Sequence, residues 1–272
     1  MAGLPSVRSW SWHAGKGSAI WQLVFPGAGI VAGLKRYPAL RTASLFAIDA
    51  TSGTPLCEGF VPMAVQGGDA PVGDGWMVGL ESVCRGLVYC HGFQAGSPEH
   101  QGIWAVDPVA GRVVWGRPEA VFAANLDSSL LVYRNRMFAG FPEREYWLID
   151  PSTGEVVEAL GTGHDRPNLL RMTAADEESR QGILLSGSAL SPMGPVERID
   201  AGTCTVEAEH RPSATVGGAW CSTLRVRLAE QPLYEAEMAA ASPSPLFNNF
   251  LVQGHMLYYI RENEHLVGVE LP

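Results

Sequence analysis

One phrase recurs along this chain: a short apolar run, an acidic residue, a turn ending in glycine, and a second short run. It occurs at Leu45–Gly53, Ile103–Gly111 and Tyr146–Gly154. A degraded copy spans Val196–Cys204, and a last one, Leu266–Leu271, stops before its turn. The anchoring acids are Asp49, Asp107, Asp150, Asp200 and Glu270. An aspartate at a strand end accepts backbone N–H groups two and three residues on, which closes the turn. Pro108 and Pro151 pre-set φ at the first corner, and Gly53, Gly111 and Gly154 suit the left-handed position that follows. The runs before the first three aspartates are apolar on both faces, as in strands covered on both sides.

The last four phrases each have an apolar hairpin partner upstream. These are Gly86–Phe93, Leu130–Phe138, Gly182–Gly187 (for the fourth copy) and Phe250–Leu257. The anchors recur at roughly 40 to 70 residues, against about 40–50 for a four-stranded blade. The expected fold is all-β, a β-propeller of four-stranded antiparallel blades over residues 1–272 as a single domain. Five blades are expected, with six or seven possible because the last interval is long. The last copy lacks an outer strand, and Val7–His13 is placed to supply it and close the ring. A β-sandwich or β-solenoid is the competing architecture. The 31 glycines and 19 prolines favour many tight turns over long helices.

The phrase Asp107–Trp115 resembles the repeat of quinoprotein-type (PQQ-like) propellers. Gly75–Glu81, His91–Phe93 and Ser97–Ile103 resemble a bacterial propeller family of unknown function. The resemblance is good over residues 45–160 and implies fold. It does not imply the quinone, because large quinoprotein dehydrogenases use adjacent cysteines in the cofactor site and Cys57, Cys84, Cys90, Cys204 and Cys221 include no adjacent pair. No cofactor is expected.

The net charge of −9 argues against nucleic acid or an anionic membrane as the main partner. An odd number of cysteines without C-x-x-C, no leader-like apolar core near the start and no N-x-S/T site point to a reducing, cytoplasmic setting. Gly27–Gly33 lacks the following helix of a dinucleotide loop and reads as strand–turn–strand. No G-x-S-x-G or H-E-x-x-H is present. Cys90 and His91, adjacent on a strand, point to opposite faces, so Cys90 reads as a structural thiol. Trp21, Trp104, Trp115 and Trp147 are expected in the inter-blade core. Residues 162–180 read as an exposed loop, 224–228 as a half-exposed strand and 239–245 as a connector.

Function is expected in the longer loops, taken as Lys35–Thr42, Gln94–Gln101, Ala139–Glu145 and Ser188–Pro195. The candidate binding residues are Arg36, Arg41, His91, Glu99, His100 and Arg144. Arginines suit a carboxylate or phosphate, so the expected partner is a protein or a small anionic ligand on this face. The leading reading is a non-enzymatic binding scaffold with no catalytic residue and no metal site; the alternative is a hydrolase or lyase using His91, Glu99 and His100 in the central funnel, with or without a metal.

Overall fold

The computed structural model describes residues 7–27, 29–64, 70–94, 96–191, 194–229 and 231–272. Ala95 of the Gln94–Gln101 segment, residues 192–193 of Ser188–Pro195 and the first six residues lie outside that set. Two compact units are present: residues 1–20, 51–53 and 178–272, and residues 21–50 and 54–177.

Strand β1 is Ser9–His13. Sheet one follows as β2 (Ala19–Gly27), β3 (Ile30–Tyr37), β4 (Thr42–Asp49) and β5 (Pro55–Phe60). Sheet two is β6 (Val78–Cys84), β7 (Leu87–Phe93), β8 (His100–Asp107) and β9 (Arg112–Arg117). Sheet three is β10 (Val121–Asn125), β11 (Leu130–Phe138), β12 (Phe141–Ile149) and β13 (Val156–Gly161). Helices α1 (Asp165–Thr173) and α2 (Glu177–Gln181) lead to β14 (Ile183–Leu185). Sheet four is β15 (Gly187–Ser191), β16 (Gly194–Ala201), β17 (Cys204–Pro212), β18 (Trp220–Leu228) and β19 (Gln231–Ser242). The last sheet runs β14, β20 (Phe250–Gln253), β21 (Met256–Arg261), β22 (His265–Glu270) and β1. The fold is therefore all-β and propeller-like, with five antiparallel sheets of four or five strands.

The N-terminal strand completes the last sheet as expected, with Ser9 opposite Val269 and His13 opposite His265. Glu264 holds this junction, 3.2 Å from His13 Nε2 and accepting Gly17 N–H at 2.7 Å. The acid-anchored turns also form as read. Asp107 accepts the N–H groups of Val109 and Ala110, and Asp150 those of Ser152 and Thr153.

Several expectations are corrected. The last two sheets have five strands, and the long interval after Asp200 is filled by the extended β18 and β19. The run at 183–185 joins the last sheet by pairing with β20, so β15 supplies the hairpin partner of the fourth phrase. Residues 139–145 are mostly strand: β11 and β12 pair through to Phe138–Phe141 around a two-residue turn. Residues 239–242 finish β19. Residues 165–173 and 177–181 are helical, with Asp165 and Pro167 suited to a first turn and Arg171 to a last turn. Glu177 accepts Ser82 Oγ at 2.6 Å. The strand reading of 224–228 holds: Leu224 and Val226 are buried and alternate with half-exposed arginines. Among the described residues no helix is long and apolar enough to cross a membrane.

Apolar side chains lie between consecutive sheets. In the second unit Leu34 and Leu45 of sheet one meet Val78 and Val88 of sheet two, and Tyr89 and Ile103 of sheet two meet Leu130 and Ile149 of sheet three. In the first unit Val206 and Leu224 meet Val252 and Leu257. A particular contact joins these layers. Trp115 of β9 lies on the Asp150 turn, its Nε1 donating to Pro151 O at 3.0 Å. A Cβ on Gly154, which has φ +71°, would stand 2.7 Å from that indole. Cys57 meets the Gly111 turn in the same way, and in the first unit Trp10 covers Gly53.

Sheet four holds a buried polar chain. His210 Nε2 is 3.1 Å from Glu197 Oε2, and His210 Nδ1 is 2.8 Å from Ser222 Oγ. Glu197 Oε1 accepts Ser186 Oγ and Asn248 N–H. His210, Glu197 and Ser222 are fully buried, so this Ser–His–Glu series binds strands together and cannot meet a substrate. Burial pushes the Glu197 carboxyl up, but the hydrogen bonds from His210, Asn248 and Ser186 and the His210 charge prevail and hold it low.

Two predictions follow from this packing. Trp115→Ala should cost about 3–5 kcal/mol and Gly154→Ala more than about 1 kcal/mol in urea unfolding. Glu197 is held low in the fold, so its stabilising contribution is complete above the ordinary carboxylate range and fades as pH falls through the native value. The stability gap between the wild type and Glu197→Gln should therefore narrow from pH 7 to about pH 4.

Candidate metal centre

His91 lies on β7 and His100 begins β8. Phe93 pairs with His100, so alternation puts His91, Phe93 and His100 on one face of sheet two. The imidazoles stack with centroids 3.6 Å apart and planes 10° apart. Phe93 stands edge-on to both, at 4.6 Å and 5.2 Å. The third member is Glu81, whose Oε1 meets Nδ1 of both rings: His91 at 2.9 Å, and His100 in a short hydrogen bond.

Glu81 reaches this face because of an irregular register. Around the Arg85-Gly86 turn the hairpin pairs Cys84 with Leu87 and Ser82 with Tyr89, then resumes with Leu80 opposite Cys90. Glu81 is the extra residue of a β-bulge. Without the bulge it would oppose Cys90 and point to the other face. A second irregularity follows on β8, where Gly92 pairs with Gln101 but Cys90 with Trp104. Gly102 there takes φ +74°. Opposite His91 stands Gly79, where a Cβ would come within 2.7 Å of the imidazole. The pocket for His91 thus requires the absence of a side chain at 79.

His91 is buried, and neither of its ring nitrogens has a hydrogen-bond partner among the described residues. The 2.9 Å approach of Glu81 lies off the directional axis of a hydrogen bond. Such orphaned buried groups carry a cost of about 1–3 kcal/mol. One ligand atom from each of Glu81, His91 and His100 lies within 4.8 Å of the others. Two imidazoles and a carboxylate suit zinc and neighbouring divalent transition metals. An ion shared by both Nδ1 atoms must lie in both ring planes, and parallel rings cannot provide that. His91 is fixed by Phe93 and Gly79, whereas the His100 side chain, bonded to Glu81, is 36% exposed. The fit is therefore a fixed Glu81–His91 pair with His100 as the adjusting ligand.

The other expected residues are dispersed. Glu99 is exposed and outside the cluster; its backbone N–H bonds Ser97 Oγ. Arg41 occupies the β3–β4 turn with φ 51°, its side chain making no ion pair or hydrogen bond among the described residues. Arg144 lies 4.5 Å over the Tyr133 ring. The Arg36 guanidinium lies 4.4 Å from the Trp21 ring and 5.2 Å from the Trp76 ring, and its Nη2 donates to Val78 O at 3.1 Å. This corrects the placement of Trp21, which is 59% exposed, whereas Trp104 and Trp115 are core residues as expected and Trp147 is half-buried. Cys90 is fully buried, and burial, helped by the Glu81 charge, pushes its thiol up to about 12. That agrees with a structural thiol.

No family model and no curated protein matches this chain. Solved structures give distant likenesses. An acylaminoacyl peptidase from Pyrococcus horikoshii is 10% identical with a TM-score of 0.31, over 90% of this chain and 36% of that one. A glycosyl hydrolase from Bacteroides ovatus is 10% identical with a TM-score of 0.30, over 96% and 85%. A mannose phosphorylase from Leishmania mexicana is 9% identical with a TM-score of 0.28, over 94% and 84%. The chain thus spans about a third of the peptidase. Likenesses of this size carry nothing about chemistry.

Proposed function

We propose that this protein binds one divalent transition-metal ion, zinc in the first instance, through Glu81, His91 and His100, and uses it in hydrolase or lyase chemistry. The observation that supports this reading is the buried, unpartnered His91 facing a carboxylate and a second imidazole. Three protein ligands leave at least one coordination position for water or substrate, the arrangement of catalytic rather than structural zinc sites. A bound metal would acidify that water or polarise a substrate oxygen. The chain's own part is to fix two donors by packing and to admit ligands from the partly exposed His100 side.

The binding-scaffold reading has a separate support. The tip of the β11–β12 hairpin exposes Met137, Phe138 and Phe141 at 67%, 61% and 75%. Apolar side chains grouped in this way mark contact surfaces. Flanking charges are already engaged with one another, Arg134 with Glu145 and Arg136 with Glu143.

The two readings part on metal content. Zinc-loaded, dialysed protein should retain about one equivalent by mass spectrometry. His91→Ala and Glu81→Gln should lose it, and Glu99→Gln should retain it. Wild type without stoichiometric metal, under conditions where it is folded, would remove the enzyme reading and leave the scaffold reading.

A further inference from the structure

Arg36 lies among aromatic rather than acidic side chains. Of the other half-buried arginines, Arg117 and Arg225 each pair with a glutamate. Arg36 has no carboxylate within ion-pair distance among the described residues, and its one hydrogen bond goes to a neutral carbonyl, Val78 O. Its Nε is covered and donates to nothing. Two indoles lie against the guanidinium, their ring centroids 4.4 and 5.2 Å from its carbon. Trp21 is 59% exposed, so its indole is accessible from solvent beside this guanidinium.

We infer that Arg36, Trp21 and Trp76 form a binding site for an oxyanion carried on a ring, such as the carboxylate of a sugar acid. The clamp fixes the guanidinium plane before the ligand arrives, so little side-chain freedom is lost when a planar carboxylate meets its edge. The exposed indole supplies the apolar surface on which the ligand's ring can lie. A lysine would bring the same charge without the plane. The site is independent of metal ligation, although Met77, next to Trp76, accepts the N–H of Phe93, the residue edge-on to both imidazoles.

Because the anion would sit between tryptophans, indole emission reports on it directly. The full chain is titrated with D-glucuronate, with glucose 6-phosphate, and with glucose as the uncharged ring. The expected result is a saturable emission change with glucuronate and none with glucose. Arg36→Lys should weaken it by at least about tenfold, and so should Trp21→Ala, an exposed position whose loss leaves the fold intact. Glu81→Gln should respond as wild type, which separates this site from the metal reading. A response to glucose 6-phosphate alone would keep the oxyanion site and assign it to phosphate. The inference is overturned if neither anion gives a saturable change up to about 10 mM, if glucose responds equally, or if Arg36→Lys leaves the response intact.

Discussion

The seating of an outer-strand side chain on the acid-anchored turn of another segment is the contact on which this architecture depends. Trp115 on Gly154, Cys57 on Gly111 and Trp10 on Gly53 are three instances. Each needs the aspartate or its turn to present a backbone corner, a glycine to leave room, and an apolar group to cover it. For Trp115 the corner also accepts the indole N–H through Pro151 O, and Tyr89 shares that carbonyl. Hydrophobic burial alone would let two sheets slide past one another. A side chain fitted to a turn that excludes a Cβ sets the lateral position as well.

That positioning matters for chemistry because sheet two has little tolerance to spare. His91 occupies space that Gly79 vacates, under the edge of Phe93. Glu81 faces it only because the β6–β7 register slips by one residue. The site therefore lies on strands, where donor positions are fixed by the ladder, with one adjustable ligand at the partly exposed start of β8. This division suits a metal that must be held firmly and still exchange one position.

The sequence made the repeat legible because its turn chemistry is local: aspartate, proline and glycine act within five residues. The closing role of Ser9–His13 was legible because the last phrase lacked a partner. His91 and His100 were legible as a pair on one hairpin. Glu81 was not, since regular pairing puts it with Cys90, and a bulge leaves no mark in residue type. Glu99 was preferred for its nearness in sequence to His100, and the backbone turns it away. The run at 183–185 went to the wrong sheet because three apolar residues carry no register. The clamp on Arg36 joins residues from separate segments, and Trp21 has the appearance of a core residue in a strand pattern. The helices at 165–181 were hidden by a polar composition with no clear apolar stripe.

Buried polarity falls into two kinds here. The chain Glu197–His210–Ser222 is fully buried and completed within the protein, with the half-buried Ser186 at its end, which is the condition for a structural network. At Glu81–His91–His100 the network is incomplete, with both His91 nitrogens left over. The account rests on that difference, and X-ray absorption at the zinc edge of the loaded protein tests it most directly. It predicts a first shell of two imidazole nitrogens with oxygen at about 2.0–2.2 Å. A shell containing sulfur at about 2.3 Å, or oxygen without imidazole, would contradict it.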